Sequence, residues 1–198
     1  MTQPPIFRGP PSRLPMLCLA GFMGCGKTTV GALLARQLAW HFVDLDDRIT
    51  EAAGLGIPEI FERLGETVFR EIEAQQLRAV LGRATEMKES SVIALGGGTY
   101  AQTGAPEFLR AANIPVIWLD SPIDVLLSRC MTMPGRPLFR DETSFRALHA
   151  QRLPSYQLAD YRVDSSADPA QVVAEILRCG VFPAATGEAH LVMKNPPA

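Results

Sequence analysis

One octapeptide constrains this chain more than any other stretch: Gly21-Phe22-Met23-Gly24-Cys25-Gly26-Lys27-Thr28. It follows the apolar run Leu17-Cys18-Leu19-Ala20 and leads into Thr29-Val30-Gly31-Ala32-Leu33-Leu34-Ala35. Strand, glycine-rich turn and helix in that order, with the spacing G-x-x-x-x-G-K-T, describe a loop that wraps a phosphate chain. Glycines let the backbone close in on an anion and turn successive N–H groups inward, and the helix N-terminus adds partial positive charge. Lys27 is placed to reach the β- and γ-phosphates of a bound nucleotide, and the Thr28 hydroxyl to ligate Mg²⁺. Gly21, Met23, Gly24, Cys25, Gly26, Lys27, Thr28 and Thr29 are therefore the expected nucleotide-binding residues. The sequence has three lysines, Lys27, Lys88 and Lys194, among 19 Lys+Arg. A chain that otherwise uses arginine keeps a lysine where a compact point charge is wanted.

The 198 residues suit one domain with a substantial core. A net charge of −2 lacks the basic excess of a dedicated nucleic-acid binder. No apolar run approaches the ~20 residues of a membrane span, and the proline-rich N-terminus has no secretory core. Cys18, Cys25, Cys130 and Cys179 form no C-x-x-C pair, which indicates neither a zinc site nor a disulfide framework. The expectation is a cytoplasmic monomer without nucleic-acid or membrane partners.

Residues 1–14 and 182–198 read as flexible tails around a single domain at 15–181. Within it, expected strands at Met16–Ala20, His41–Val43, Ser91–Leu95, Pro115–Leu119 and Tyr161–Val163 alternate with helices at 27–39, 46–53, 57–64, 66–82, 104–112, 122–131, 142–159 and 168–179. Such alternation implies an α/β fold, a five-stranded parallel sheet with helices on both faces. Ligands then bind beyond the carboxyl ends of the strands.

Several segments fall at that edge. Asp44-Leu45-Asp46-Asp47 follows the second strand; if the chain stays extended, Asp44 and Asp46 point to one side. One carboxylate could hold the Mg²⁺ water shell and the other position or deprotonate an acceptor hydroxyl. The alternative for Asp47 is the N-cap of the next helix. Arg70 points off the apolar stripe Val68, Ile72, Leu77, Val80, Leu81; the plain reading pairs it with Glu66 or Glu73 on the surface. Gly96-Gly97-Gly98 directly after a buried strand suggests close approach by a ligand or a nest of N–H groups; the alternative is a plain flexible turn. Met131-Thr132-Met133-Pro134-Gly135-Arg136 reads as the start of a lid, about 131–143, with an arginine for transferring phosphate charge. Pro154 would bend the helix carrying Arg152 and could aim that side chain inward; the plain reading of Arg152 alone is a surface residue.

In the order GFMGCGKTTVG, FVDLDDRI, IPEIFERLGETVFREIE, LGGGT, GRPLF and QRLPSYQLADYRVD, these segments resemble the shikimate kinase family. The likeness runs from about Met16 to Leu177. It implies a P-loop NTPase three-layer sandwich with a lid and a helical substrate-binding region. It also implies ATP-dependent phosphorylation of the shikimate 3-hydroxyl on the route to chorismate and aromatic amino acids. By resemblance, Asp46 holds the acceptor hydroxyl and takes its proton, with Lys27 and Arg136 as the other catalytic groups. Arg70 and Arg152 clamp the substrate carboxylate, and Gly96, Gly97 and Gly98 line the shikimate pocket. Phe61, Phe69, Glu73, Pro137 and Leu138 form its wall and lid. Thr28 and Asp44 serve Mg²⁺, Arg136 closes on the nucleotide, and Arg129 lies near adenine. The chain departs from the family at Ser155, where a leucine is usual, and at Asp164–Asp168, which lacks a basic side chain near the base. A gluconate-type kinase of the same fold and a non-catalytic ligand-sensing domain are the alternatives; the paired arginines with G-G-G favour a cyclic carboxylate acceptor.

Overall fold

The structure is a computed structural model that describes residues 16–131 and 141–182. The expected lid residues Arg136, Pro137 and Leu138 lie outside the described residues, as do residues 1–15 and 183–198. Five strands form one sheet: β1 (Met16–Ala20), β2 (His41–Asp44), β3 (Ser91–Ala94), β4 (Val116–Asp120) and β5 (Tyr161–Asp164). Their order is β2-β3-β1-β4-β5, and every pairing is parallel. Leu17, Cys18, Leu19 and Ala20 of the central β1 are all buried, the continuous apolar run that a doubly covered parallel strand requires. The chain leaves β1 toward β2 and later crosses back over β1 to reach β4. Loops after β1 and β4 therefore run in opposite directions and open a crevice at the carboxyl edge.

The helices are α1 (Lys27–Leu38), α2 (Leu45–Ala53), α3 (Ile57–Arg63), α4 (Gly65–Met87), α5 (Ala105–Ala111), α6 (Ile123–Met131), α7 (Glu142–Tyr156) and α8 (Pro169–Arg178). Gly31 lets α1 come close to β2, since a Cβ there would lie 2.5 Å from the Phe42 ring. Helices α2, α3 and α4 pack on one another, while α1 packs on α8.

The structure differs from the sequence expectation at three places. Helix α4 continues past Gly82 to Met87 and closes on Lys88 in the left-handed conformation, with its N–H on Ala84 and Thr85 carbonyls. One glycine costs a long helix about 1 kcal/mol, too little to end it when Leu81 and Ala84 are buried on either side. The segment after Asp44 does not stay extended: α2 begins at Leu45, and Asp44, not Asp47, is its N-cap, accepting from the Asp46 N–H at 3.0 Å. A short 3₁₀ turn, Thr99–Ala101, follows the glycines unannounced by any periodicity. Helix α7 does run through Pro154, with Arg152 buried.

Candidate active site

The loop after β1 is built by its glycines. Gly24 and Gly26 have φ of 83° and 92°, a region that side chains with a Cβ rarely adopt, and Gly26 is the residue from which α1 starts. A Cβ on Gly21 would lie 2.6 Å from the Leu119 carbonyl oxygen, so the loop is seated directly on the end of β4. Lys27 folds back over this ring: its Nζ donates to the Gly21 and Phe22 carbonyls at 2.8 and 3.1 Å and lies 3.6 Å from Cys25 Sγ. Met23 and Cys25 are buried, whereas Thr28 and Thr29 face solvent.

The Thr28 hydroxyl donates to Asp44 Oδ2 at 2.6 Å. Asp44 thus uses one oxygen to cap α2 and the other to meet the phosphate loop. Asp46 follows in the first turn of α2, its Oδ1 only 2.7 Å from where a Cβ on Gly96 would stand. Asp47 is exposed, and its carboxyl sits above the usual range, through desolvation first and then the Asp44 and Glu51 charges.

Of the three glycines after β3, Gly96 is the one that packing requires. A Cβ on Gly96 would also stand 2.8 Å from Thr99 Oγ1 and 3.1 Å from Glu73 Oε1. One on Gly97 would touch the Met23 backbone nitrogen at 3.5 Å, which is where the phosphate loop and this loop abut. One on Gly98 would lie 3.0 Å from Arg152 Nη2, 3.0 Å from Arg70 Nη1 and 3.1 Å from Arg70 Nη2. Two guanidinium groups from α4 and α7 therefore converge on a single backbone point.

Each arginine is held separately. Arg70 donates through Nη1 to the buried Glu73 (2.9 Å) and through Nη2 to the exposed Glu66 (3.0 Å). Its guanidinium also lies 5.0 Å above the Phe69 ring, which packs on Phe61 at 4.5 Å between centroids. Both partners foreseen from the sequence are engaged, but only Glu66 lies at the surface: Glu73 is buried and the Arg70 side chain is only 16% exposed. Arg152 is 7% exposed, donates to the Gly97 carbonyl at 3.1 Å and stands 5.8 Å over the Phe22 ring. The Tyr156 hydroxyl donates to the same carbonyl. Burial lowers the Arg152 pKa, and the Arg70 charge acts in the same direction, against Tyr156 and Glu73. Two cations facing one point are an arrangement that an anion would stabilise.

Arg129, on α6, donates to the Gly24 carbonyl (3.4 Å) and to those of Ser165 and Ser166 (3.0 Å each). It ties the phosphate loop to the turn after β5.

Phe22, Thr99 and Tyr156 were given no role from the sequence. The signals were faint: a large aromatic residue inside a phosphate loop, a threonine closing a glycine run, and a tyrosine one turn beyond Arg152. None identifies its partner, because every partner comes from a distant segment.

The shikimate kinase family model matches residues 23–180. The shikimate kinase of Geobacter sulfurreducens is 41% identical over 162 residues, covering 80% of this chain and 86% of that protein. That of Aquifex aeolicus is 39% identical over 160 residues, covering 80% and 92%. The shikimate kinase of Acinetobacter baumannii, solved in complex with shikimate, superposes with a TM-score of 0.76 at 35% identity, over 83% of this chain and 92% of that one. With the loop after β1 abutting the glycines where Arg70 and Arg152 meet, and relatives matched along most of its length, this chain belongs to the shikimate kinase family.

Proposed function

We infer that the protein transfers the γ-phosphoryl group of ATP to the 3-hydroxyl of shikimate, giving shikimate 3-phosphate and ADP. The observation that carries this reading is the convergence of Arg70 and Arg152 at Gly98, beside the phosphate loop. Shikimate places a carboxylate on one side of a ring and hydroxyls on the other. With the carboxylate at Gly98, the ring extends past Gly97, which abuts the Met23 backbone, toward Gly96 and Asp46.

Lys27, resting on the Gly21 and Phe22 carbonyls, exchanges those neutral acceptors for β- and γ-phosphate oxygens. Its preformed position keeps the reorganisation small. Asp46 orients the 3-hydroxyl in line with the γ-phosphorus and accepts its proton. In a loose phosphoryl-transfer transition state, aim and charge stabilisation supply most of the rate enhancement. Arg70 and Arg152 hold the substrate's far end, and Phe61, Phe69 and Glu73 support Arg70 from behind. A planar guanidinium pair selects a carboxylate over a neutral polyol.

Thr28 and Asp44 fit a magnesium ion. Both offer hard oxygen donors, already 2.6 Å apart at the phosphate loop. Among the described residues no group of three or more His, Cys, Asp or Glu converges, so its remaining ligands would be phosphate oxygens and water. When bound, the ion neutralises charge on the β- and γ-phosphates. Arg129 sits where the base side of the nucleotide would lie, between Gly24 and the turn after β5, and Arg136 is assigned to the closing lid. The proposal extends to a monomer that works in the cytoplasm. Separately, no helix among the described residues is long and apolar enough to cross a membrane.

The test is a coupled assay of ADP release with Mg²⁺ and ATP, with shikimate, gluconate or no acceptor. Release that depends on shikimate supports the reading. Equal release with gluconate, or none with either acceptor in protein that binds ATP, overturns it.

A further inference from the structure

The Arg70 clamp rests on a buried carboxylate. Glu73 is 2% exposed, and its two oxygens face different ways: Oε2 accepts from Arg70 Nη1 at 2.9 Å, and Oε1 accepts from the Thr99 hydroxyl at 2.7 Å. Thr99 is itself 3% exposed and opens the 3₁₀ turn directly after Gly98, 26 positions from Glu73 along the chain. A buried carboxylate with an unfilled oxygen seeks the nearest mobile donor. Here that donor is the Arg70 guanidinium, whose arm already touches the other oxygen.

We propose that Thr99 is a positioning residue for substrate selection: by occupying Glu73 Oε1 it keeps Arg70 out at Gly98, where the substrate carboxylate is read. The hydroxyl has one proton, and it is given to Glu73. With that oxygen satisfied, Glu73 engages Arg70 through Nη1 alone while Glu66 holds Nε and Nη2, and in this arrangement Nη1 and Nη2 both stand at the point shared with Arg152. Without the hydroxyl, Glu73 takes Arg70 with both oxygens and draws it from that point. Gly96 is part of the same device, since any Cβ there would stand among Asp46 Oδ1, Thr99 Oγ1 and Glu73 Oε1. The loop that carries Thr99 thus reports its own position to helix α4 through a single hydrogen bond. The proposal rests on the reading of Arg70 and Arg152 as a carboxylate clamp.

The test compares Thr99→Val, Thr99→Ser and wild type in steady-state kinetics, with titrations of shikimate and of methyl shikimate, whose carboxyl is uncharged. Thr99→Val, similar in shape and lacking the donor, is expected to raise the KM for shikimate about tenfold, the scale of one orphaned buried acceptor. The KM for ATP stays within about twofold, and Thr99→Ser returns the shikimate KM to near wild type, since only the hydroxyl matters. The decisive readout is the preference for acid over ester, which falls with Thr99→Val. A merely structural loosening would weaken acid and ester by the same factor. An unchanged shikimate KM, an unchanged acid-to-ester preference, or no rescue by serine overturns the proposal. Should Thr99→Val not fold, Thr99→Ala enters the same comparison with the same outcomes. A wild type without shikimate-dependent turnover overturns the functional reading and this proposal together; a wild type that turns over, with an indifferent Thr99→Val, overturns this proposal alone.

Discussion

Gly98→Ala is the most economical way to test the anion site, because it adds one methyl group to the point where the arginines meet. The Gly98 backbone has φ −115° and ψ −10°, which alanine adopts without strain. The added Cβ would stand 3.0 Å from Arg152 Nη2 and Arg70 Nη1, and 3.1 Å from Arg70 Nη2, so each contact must open by a few tenths of an ångström. Arg70, at the end of a flexible arm, can yield; Arg152 is buried and tied to the Gly97 carbonyl. The fold therefore survives while the anion position is filled by carbon. Losing one or two charge-assisted hydrogen bonds to the substrate carboxylate costs about 3 kcal/mol, or ~150-fold in the KM for shikimate. Steady-state kinetics with both substrates varied would measure this, with far-UV circular dichroism as the folding control. The KM for ATP should hold, because the phosphate loop touches the neighbouring Gly97 and not Gly98. A shikimate KM within threefold of wild type, or parallel rises for both substrates, would refute the clamp.

Three further outcomes are expected. Asp46→Asn keeps the shape beside Gly96 and removes the proton acceptor, so kcat falls by about 10²-fold or more while nucleotide affinity is retained; an unchanged kcat would make Asp46 a structural residue of α2. Gly82→Ala has nothing within 4 Å of the new Cβ, in the interior of α4, and should raise stability by about 0.5–1 kcal/mol, seen as a melting temperature higher by roughly 1–4 °C without loss of activity. Burial holds the His149 imidazole, 5.1 Å from the Phe22 ring, below its ordinary 6.5, with Asp120 opposing. The unfolded chain then binds the proton more readily than the folded one. Stability from the neutral ring is whole above 6.5 and is lost as the pH falls toward the lower folded value. Thermal melts across this range should show a steeper acid-side decline in wild type than in His149→Gln, and identical slopes would show that the ring titrates freely.

Local chemistry was legible in the sequence wherever it depends on neighbours in the chain. The spacing from Gly21 to Thr28 dictated a strand, a loop and a helix, since glycine conformations and helix starts are decided within a few residues. The strand–helix alternation made a parallel sheet necessary, and all five strands formed within a residue or so of their expected bounds. Arg70 on its own looked like a surface residue, and its pairing with Glu66 and Glu73 was readable at i−4 and i+3. What only the tertiary structure decided is what lies across the crevice. The side chains that meet at Gly98 come from α4 and α7, and those that meet at Gly96 come from α2, α4 and the turn after β3. Helical and strand periodicities describe one element's faces and carry no information about a partner tens of residues away. Thr99 shows the limit: the glycine run before it marks the position only faintly, and its partner becomes evident only once β3 and α4 are packed together. The residue types were present from the start, but their convergence is a property of the packed sheet and its covering helices.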